Sequence, residues 1–263
     1  RSYDGRANDL ANPEMGAVGA AFGRNMAPVD QPVDEPNAVT VARELMDRHA
    51  FIPAKILNLL AAAWIQFQVH DWVNHARRQL GEDDVVVPIP DGYPGWANYP
   101  GGPEERAMRF GDNIPHPRAT DGCTFANLTS HWWDGSEVYG ADSEQAWRLR
   151  EGARIRLENG YLPTNLHGFE VTGFNESWWL GLSIMHTLFA REHNVLCDEL
   201  RRAYPGWSDE RTYQTARLIV PALIAKIHTV EWTPAILQTE ALDIAMKTNW
   251  YGPPSDWFTR LGI

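Results

Sequence analysis

No stretch of this chain stays apolar for the roughly 18 residues that a membrane-spanning helix requires, so no transmembrane segment is expected. Cysteine is nearly missing. The two present, Cys123 and Cys197, form no CxxC and no zinc-ligand pattern. One disulfide and two buried thiols fit them equally, so the redox compartment stays open. Positive charge is also scarce: 23 Lys and Arg against 34 Asp and Glu leave a net charge of −11. That balance argues against a nucleic-acid partner. Internal repeats, low-complexity segments and a signal peptide are all absent. The chain opens on Arg1 and not on Met, so the missing leader carries little weight, and the expectation is a soluble chain with a lean toward the cytoplasm.

What is present is aromatic. Twelve tryptophans and 11% aromatic residues call for large flat surfaces, in a core or around a planar ligand. The patterning reads as one mainly α domain over 1–263, with long loops and a short hairpin. Residues 1–36, rich in Gly, Asn, Asp and Pro, read as an extended arm. Asn37 caps a helix to about Arg48, and Pro53 suits the first turn of a helix running to about Arg78. From Gly81 to Arg118 a long irregular loop is preferred over a strand at Val85–Val87. Asp142 with Gln145 starts a short helix to Leu149, and Asn159-Gly160 reads as a two-residue hairpin turn. A long helix follows from Trp178 to Ala203, stopped by Pro205-Gly206. Another runs from Ser208 or Asp209 to about Gln238, with kinks expected at Pro221 and Pro234.

The organising stretch is Leu57–His75, LNLLAAAWIQFQVHDWVNH. Leu59, Leu60, Ala63, Ile65 and Phe67 are its expected buried residues. Gln66 and His70, four apart, share a helical face, while Asp71 points about 100° away. A lone His on an apolar helix is more often a satisfied core residue than a catalyst. The Gln one turn back and the adjoining carboxylate strengthen the functional reading, because buried polar groups need partners.

Two further segments carry chemistry. In SHWWDGS, Ser130, Trp132, Asp134 and Ser136 recur at every second residue. Hydroxyl, carbonyl and carboxylate oxygens are the ligands of a hard cation such as Ca²⁺, with Asp71 as a further donor. A turn in which Asp and Ser bond their own backbone fits the same spacing. In KIHTVEWT, His228 beside a helix kink is a candidate carboxylate binder, and Lys226 with Glu231 reads equally as a surface pair.

Taken together, the stretches IQFQVHDW (65–72), TSHWWDGSEVYG (129–140), LENGYLP (157–163), MHTLFAREHN (185–194) and ALIAKIHTVEWT (222–233) resemble the animal-type haem peroxidase superfamily, and within it the fatty acid α-dioxygenases and their bacterial relatives. The opening arm, RSYDGRAND…GRNMAP, is similar as well, so the likeness spans nearly the whole chain in one order. It implies haem b and Ca²⁺ as cofactors, His70 as the distal base and Gln66 as the distal glutamine. It assigns Asp71, Ser130, Trp132 (through its carbonyl), Asp134 and Ser136 to calcium, and His228 with Thr233 to the substrate carboxylate. The implied reaction adds O₂ at the carbon next to a fatty acid carboxylate, after a tyrosyl radical has removed a hydrogen there.

The family's proximal histidine, radical tyrosine and carboxylate-binding arginine belong to segments beyond Ile263. The chain therefore reads as truncated before the proximal-ligand helix, to be completed by a C-terminal fragment or a second chain. Phe174-Asn175-Glu176-Ser177 lacks the distal arginine of mammalian peroxidases. Val69 replaces the acid that ester-links haem in some relatives, which speaks against a linked haem. Three other readings stand beside the dioxygenase: a haem peroxidase using H₂O₂ on small reductants; a haem-free scaffold half in which these residues are inherited structure only; and, remotely, an HD-type metal phosphohydrolase built on His70-Asp71 with His49 and His75 near.

Overall fold

The computed structural model describes residues 1–22, 26, 36–81, 84–90, 93, 106–118, 124–174 and 176–253. They pack as two compact units, one of Arg1–Val18, Lys55–Val73 and Thr129 onward, the other of Gly19–Ala54 and Asn74–Leu128. The mainly α expectation holds. Among the described residues no helix is long and apolar enough to cross a membrane.

All the expected site residues fall in the first unit. Its frame is three helices: α2 (Leu59–Trp72) packs on α5 (Leu180–Ala203), and α5 on α6 (Asp209–Lys226). Phe67 of α2 stacks on Phe189 of α5 at 5.2 Å, with Trp64 beside both. Leu182, Met185, Tyr213, Val220 and Ile224 continue this core. The short helices α3 (Ser136–Tyr139) and α4 (Ser143–Leu149) lie between, and Asp142 caps α4 by accepting from Gln145 N at 2.8 Å, as expected.

Helix α2 departs from expectation in three ways. It begins at Leu59 and not at Pro53, because Asn58 accepts from Leu60 N and sets the N-cap. It ends at Trp72 and not at Arg78, since Val73 is extended. Its buried face is Ala63, Trp64, Phe67, Gln68 and Asp71, while Leu59 (71% exposed), Leu60 and Ile65 face outward. A helix apolar on every side gives no sequence signal for which stripe meets the core.

Pro221 lies inside α6 without ending it. The break comes later, in a π-helical turn over Ile227–Trp232, followed by α7 (Thr233–Ile236) with Pro234 in its first turn, where the missing N–H has no helical partner to lose. Helix α8 (Glu240–Tyr251), capped by Thr239, was not expected as a separate element. Strands β3 (Arg150–Glu151) and β4 (Arg154–Ile155) form a tight hairpin. The expected turn follows: Asn159 (φ 53°) and Gly160 (φ 84°) are both left-handed, and Glu158 and Tyr161 exchange backbone bonds of 2.8 and 3.0 Å, a type I′ turn.

In the second unit, Asn37 caps α1 (Ala38–Val41), which continues as a π turn to Met46, short of the expected Arg48. The loop preference for Val85–Val87 is corrected. Strand β1 (Val85–Pro88) pairs antiparallel with β2 (Ala107–Phe110), its β-branched run outweighing the Pro and Gly around it. His75 lies beyond α2 and bridges to Asn127.

Because Phe67 is fully buried between Trp64, Phe189 and His186, Phe67→Ala is expected to cost about 3–5 kcal/mol in urea unfolding. A cost below about 1 kcal/mol would contradict this packing.

Candidate active site

Helix α2 presents two chemistries on two faces, as the spacing of its polar residues requires. On one, Gln66 and His70 are half-buried. The Gln66 amide is oriented by two bonds: Oε1 accepts from Trp179 Nε1 at 2.7 Å and Nε2 donates to Ser177 O at 3.2 Å. His70 meets the edge of Phe174 at 4.6 Å, and its Nδ1 is buried without a hydrogen-bond partner. Burial pushes its pKa down to about 4, so the ring is neutral at pH 7, the form that accepts a proton.

Phe174 reaches His70 because of Gly173. A Cβ on Gly173 would lie 2.2 Å from Ser136 O and 2.5 Å from Gly140 N, so only glycine lets this segment press against α3. Of the four residues that lack the distal arginine, Asn175 lies outside the described residues.

On the other face, Asp71 is buried and its Oδ1 accepts from Ser136 N at 2.7 Å. Ser130 Oγ donates to Asp134 Oδ2 at 2.6 Å. The loop is turned and not extended, with Trp133 (φ 52°) and Gly135 (φ 70°) both left-handed, so simple alternation does not describe it. Arg1 closes it from outside: Nη2 donates to Trp132 O at 2.8 Å and pairs with Asp134 Oδ1 at 2.9 Å. Ser136 Oγ is buried without a partner. Burial pushes the Asp71 carboxyl up to about 6, and the charge of Asp134 adds to the rise. Glu137, which spacing alone did not mark, is a second buried carboxyl raised by burial and by Asp71. Oxygen-only donors, an idle hydroxyl and a destabilised carboxylate together fit a hard cation.

The third group is set by α6 and its π turn. Trp64 Nε1 donates to His228 Nδ1 at 3.3 Å, and the rings of Trp64, Trp72 and Trp133 surround that imidazole at 5.0–6.3 Å. An indole only donates, so His228 Nδ1 is the acceptor and its proton sits on Nε2. Burial also lowers its pKa, which keeps the ring neutral. Thr233 is brought near but turned inward, its hydroxyl donating to His228 O at 2.7 Å. Lys226 and Glu231 make a 3.8 Å surface pair.

The structure thus joins Asp71 to the 130–136 loop and His228 to α2, with Trp133 as a link between the two. Two polar groups of α5 make structural contacts: Asn194 brackets Ile155 with bonds of 2.8 and 2.9 Å, and buried Cys197 donates to Ala153 O. Cys123 lies outside the described residues. Among the described residues no three His, Cys, Asp or Glu side chains are grouped to hold a metal, so the HD-type reading finds no site. An apolar groove of about 570 Å³, lined by Leu162, Leu180, Ile184 and Leu188, contains none of the expected site residues.

Against known proteins, the family model described as animal haem peroxidase matches residues 1–258. The α-dioxygenase PIOX of Oryza sativa subsp. japonica is 37% identical over 262 residues, 96% of this chain and 41% of that protein. The crystal structure of the fatty acid α-dioxygenase of Arabidopsis thaliana superposes with a TM-score of 0.84 at 32% identity, covering 99% of this chain and 41% of the other. A crystal structure of a variant of the Oryza sativa enzyme with palmitic acid gives 0.82 at 35% identity, covering 95% and 41%. The chain therefore spans about two-fifths of the length of these relatives.

Gly173→Ala is expected to destabilise the chain by about 1–3 kcal/mol, the usual cost of overpacking, and to displace Phe174 from His70. Thermal unfolding together with the ring proton shifts of Phe174 checks both. A variant as stable as the parent would show that the close approach at Gly173 is not required.

Proposed function

The chain belongs to the animal haem peroxidase family, a family of oxidoreductases that bind haem, and on that premise we propose that it builds the distal side of a fatty acid α-dioxygenase. The reaction is addition of O₂ at the carbon next to the carboxylate. One observation carries this reading: Trp64 ties His228, the candidate carboxylate donor, to the same helix that holds His70. The candidate carboxylate binder is therefore tethered to the helix that carries the base.

Haem, when bound, supplies the one-electron oxidising power. Gln66 and His70 lie on an apolar stripe with exposed Leu59 and Val69, an environment that suits a porphyrin. His70, neutral at pH 7, would be the residue that accepts a proton beside the haem and gives it back. Gln66, held by Trp179 and Ser177, offers a fixed polar group one turn away. His228 offers its Nε2–H to one carboxylate oxygen, and Thr233 turns from the His228 carbonyl to donate to the same group. Asp71, Ser130, Asp134 and Ser136 with the Trp132 carbonyl would hold Ca²⁺, which fixes α2 against the loop.

A second reading, a peroxidase that uses H₂O₂ on small reductants, is favoured by the inward turn of the Thr233 hydroxyl. Oxygen uptake separates the two. A haem-loaded full-length enzyme is expected to consume O₂ with palmitate, and His228→Ala is expected to lower kcat/KM roughly 10- to 100-fold, the worth of a charge-assisted hydrogen bond. Reductant oxidation with no fatty-acid-dependent uptake would select the peroxidase. As a prior step, a Soret band after haemin is added to the chain reports whether the distal half alone retains the cofactor.

Calcium is expected to raise the melting temperature, by about 2.7 kcal/mol of stability at a hundredfold excess over Kd. Asp71→Asn should abolish the increment. An equal gain in parent and variant, or none in either, would remove Ca²⁺ from this loop.

A further inference from the structure

Of the three indoles around His228, two are anchored in a helix and one is not. Trp64 and Trp72 belong to α2, which is held by the Phe67 stack and by the Asp71 bond to Ser136 N. Trp133 belongs to the 130–136 loop, and its φ of 52° is left-handed, a conformation that bulky side chains rarely adopt. Its ring meets Trp72 at 5.2 Å and His228 at 5.9 Å. Trp133 also lines a cavity of about 200 Å³, together with Arg1, Asp134, Pro221 and Ala222, so the indole has room to shift.

The His228 imidazole leans on these walls. Among the described residues its ring has one hydrogen bond, the 3.3 Å contact from Trp64 Nε1, and Thr233 bonds the backbone carbonyl and not the ring. A single bond of that length does not fix the plane of the ring. The indoles do so by edge-to-face packing, Trp72 at 88° and Trp133 at 65°. The aim of the Nε2–H that would meet a carboxylate follows from that plane.

What holds Trp133 acts on its two neighbours. Arg1 Nη2 donates to Trp132 O at 2.8 Å and pairs with Asp134 Oδ1 at 2.9 Å, while Ser130 Oγ ties Asp134 Oδ2 at 2.6 Å. We infer that Trp133 is a positioning residue for His228: the grip of Arg1 on the loop places the indole, and the indole sets the aim of the imidazole. The opening arm thereby acts on affinity for the carboxylate. The inference rests on the proposed role of His228 and requires no metal ion in the loop.

The test begins with Arg1→Gln, which changes none of the four rings. Carbon–proton correlation spectra of the calcium-free chain at pH 7 follow them, with His228 assigned through His228→Gln and Trp133 through Trp133→Phe. The ring signals of both Trp133 and His228 are expected to shift in Arg1→Gln. Those of His193, packed on Tyr139 and Tyr213, are expected to stay in place. A His228 ring that does not respond overturns the inference, whether or not Trp133 moves. In the haem-loaded full-length enzyme, Trp133→Leu is expected to raise KM for palmitate roughly 2- to 10-fold, the worth of one aromatic pair, with a smaller effect on kcat. Trp133→Phe, which keeps a ring, should recover part of the loss. A loss confined to kcat, or no recovery with Phe, overturns the positioning role. Should Trp133→Leu not fold, the Arg1→Gln spectra and the KM of Trp133→Phe decide. If His228→Ala leaves palmitate turnover intact while the Arg1→Gln shifts appear, the carboxylate role fails and the link from Arg1 to His228 stands.

Discussion

The bond from Ser136 N to the buried carboxylate of Asp71 is the constraint on which the candidate site depends. It joins residues 65 positions apart and is made by the residue directly after His70. A carboxylate taken out of water is costly unless bonded, so this contact holds the roll of α2 about its axis. Once that roll is set, His70 and Gln66 must face the other way, toward Phe174, Ser177 and Trp179. Glycine at 173 lets the 172–174 segment close against α3, and the π turn after α6 brings His228 to Trp64. Each group is positioned by a neighbour belonging to the same packed unit.

Much of this frame was legible in advance, because it is written in local chemistry. Asn37, Asp142 and Ser208 cap helices through their own side chains, and Asn159-Gly160 can hardly be anything but a tight turn. The division of labour between His70 and Asp71 follows from helical geometry. Other features depend on partners far away in sequence. Nothing local shows that Trp64 bonds to His228, 164 positions on. Glu137 looked like an ordinary acidic residue, and Gly173 like one glycine among many, until the backbone of α3 was set beside them. The start of α2 went to Asn58 because a capping side chain outweighs a proline several residues earlier.

The outward residues of α2 were misassigned for a different reason. Leu59, Leu60 and Ile65 are as apolar as the buried face, and a helix of that kind belongs inside a larger assembly of helices. The relatives to which this chain is similar are more than twice its length. Hydrophobicity marked α2 as a central helix, and that is consistent with its place between the candidate site and α5. It did not distinguish the stripe that meets α5 from the stripe that stays largely exposed.

The arm that begins the chain is anchored by its distant end. Arg217 donates to the carbonyls of Arg1 and Ser2, the first 216 positions away, and stacks on Tyr3, while Arg1 reaches the 130–136 loop. Arg1 and Ser2 are thus made well before the Arg217 that holds them. At about 5–20 residues per second, roughly ten to forty seconds separate the two. During that interval Arg1 and the loop around Asp134 are both present, but the arginine that holds the arm in place is not.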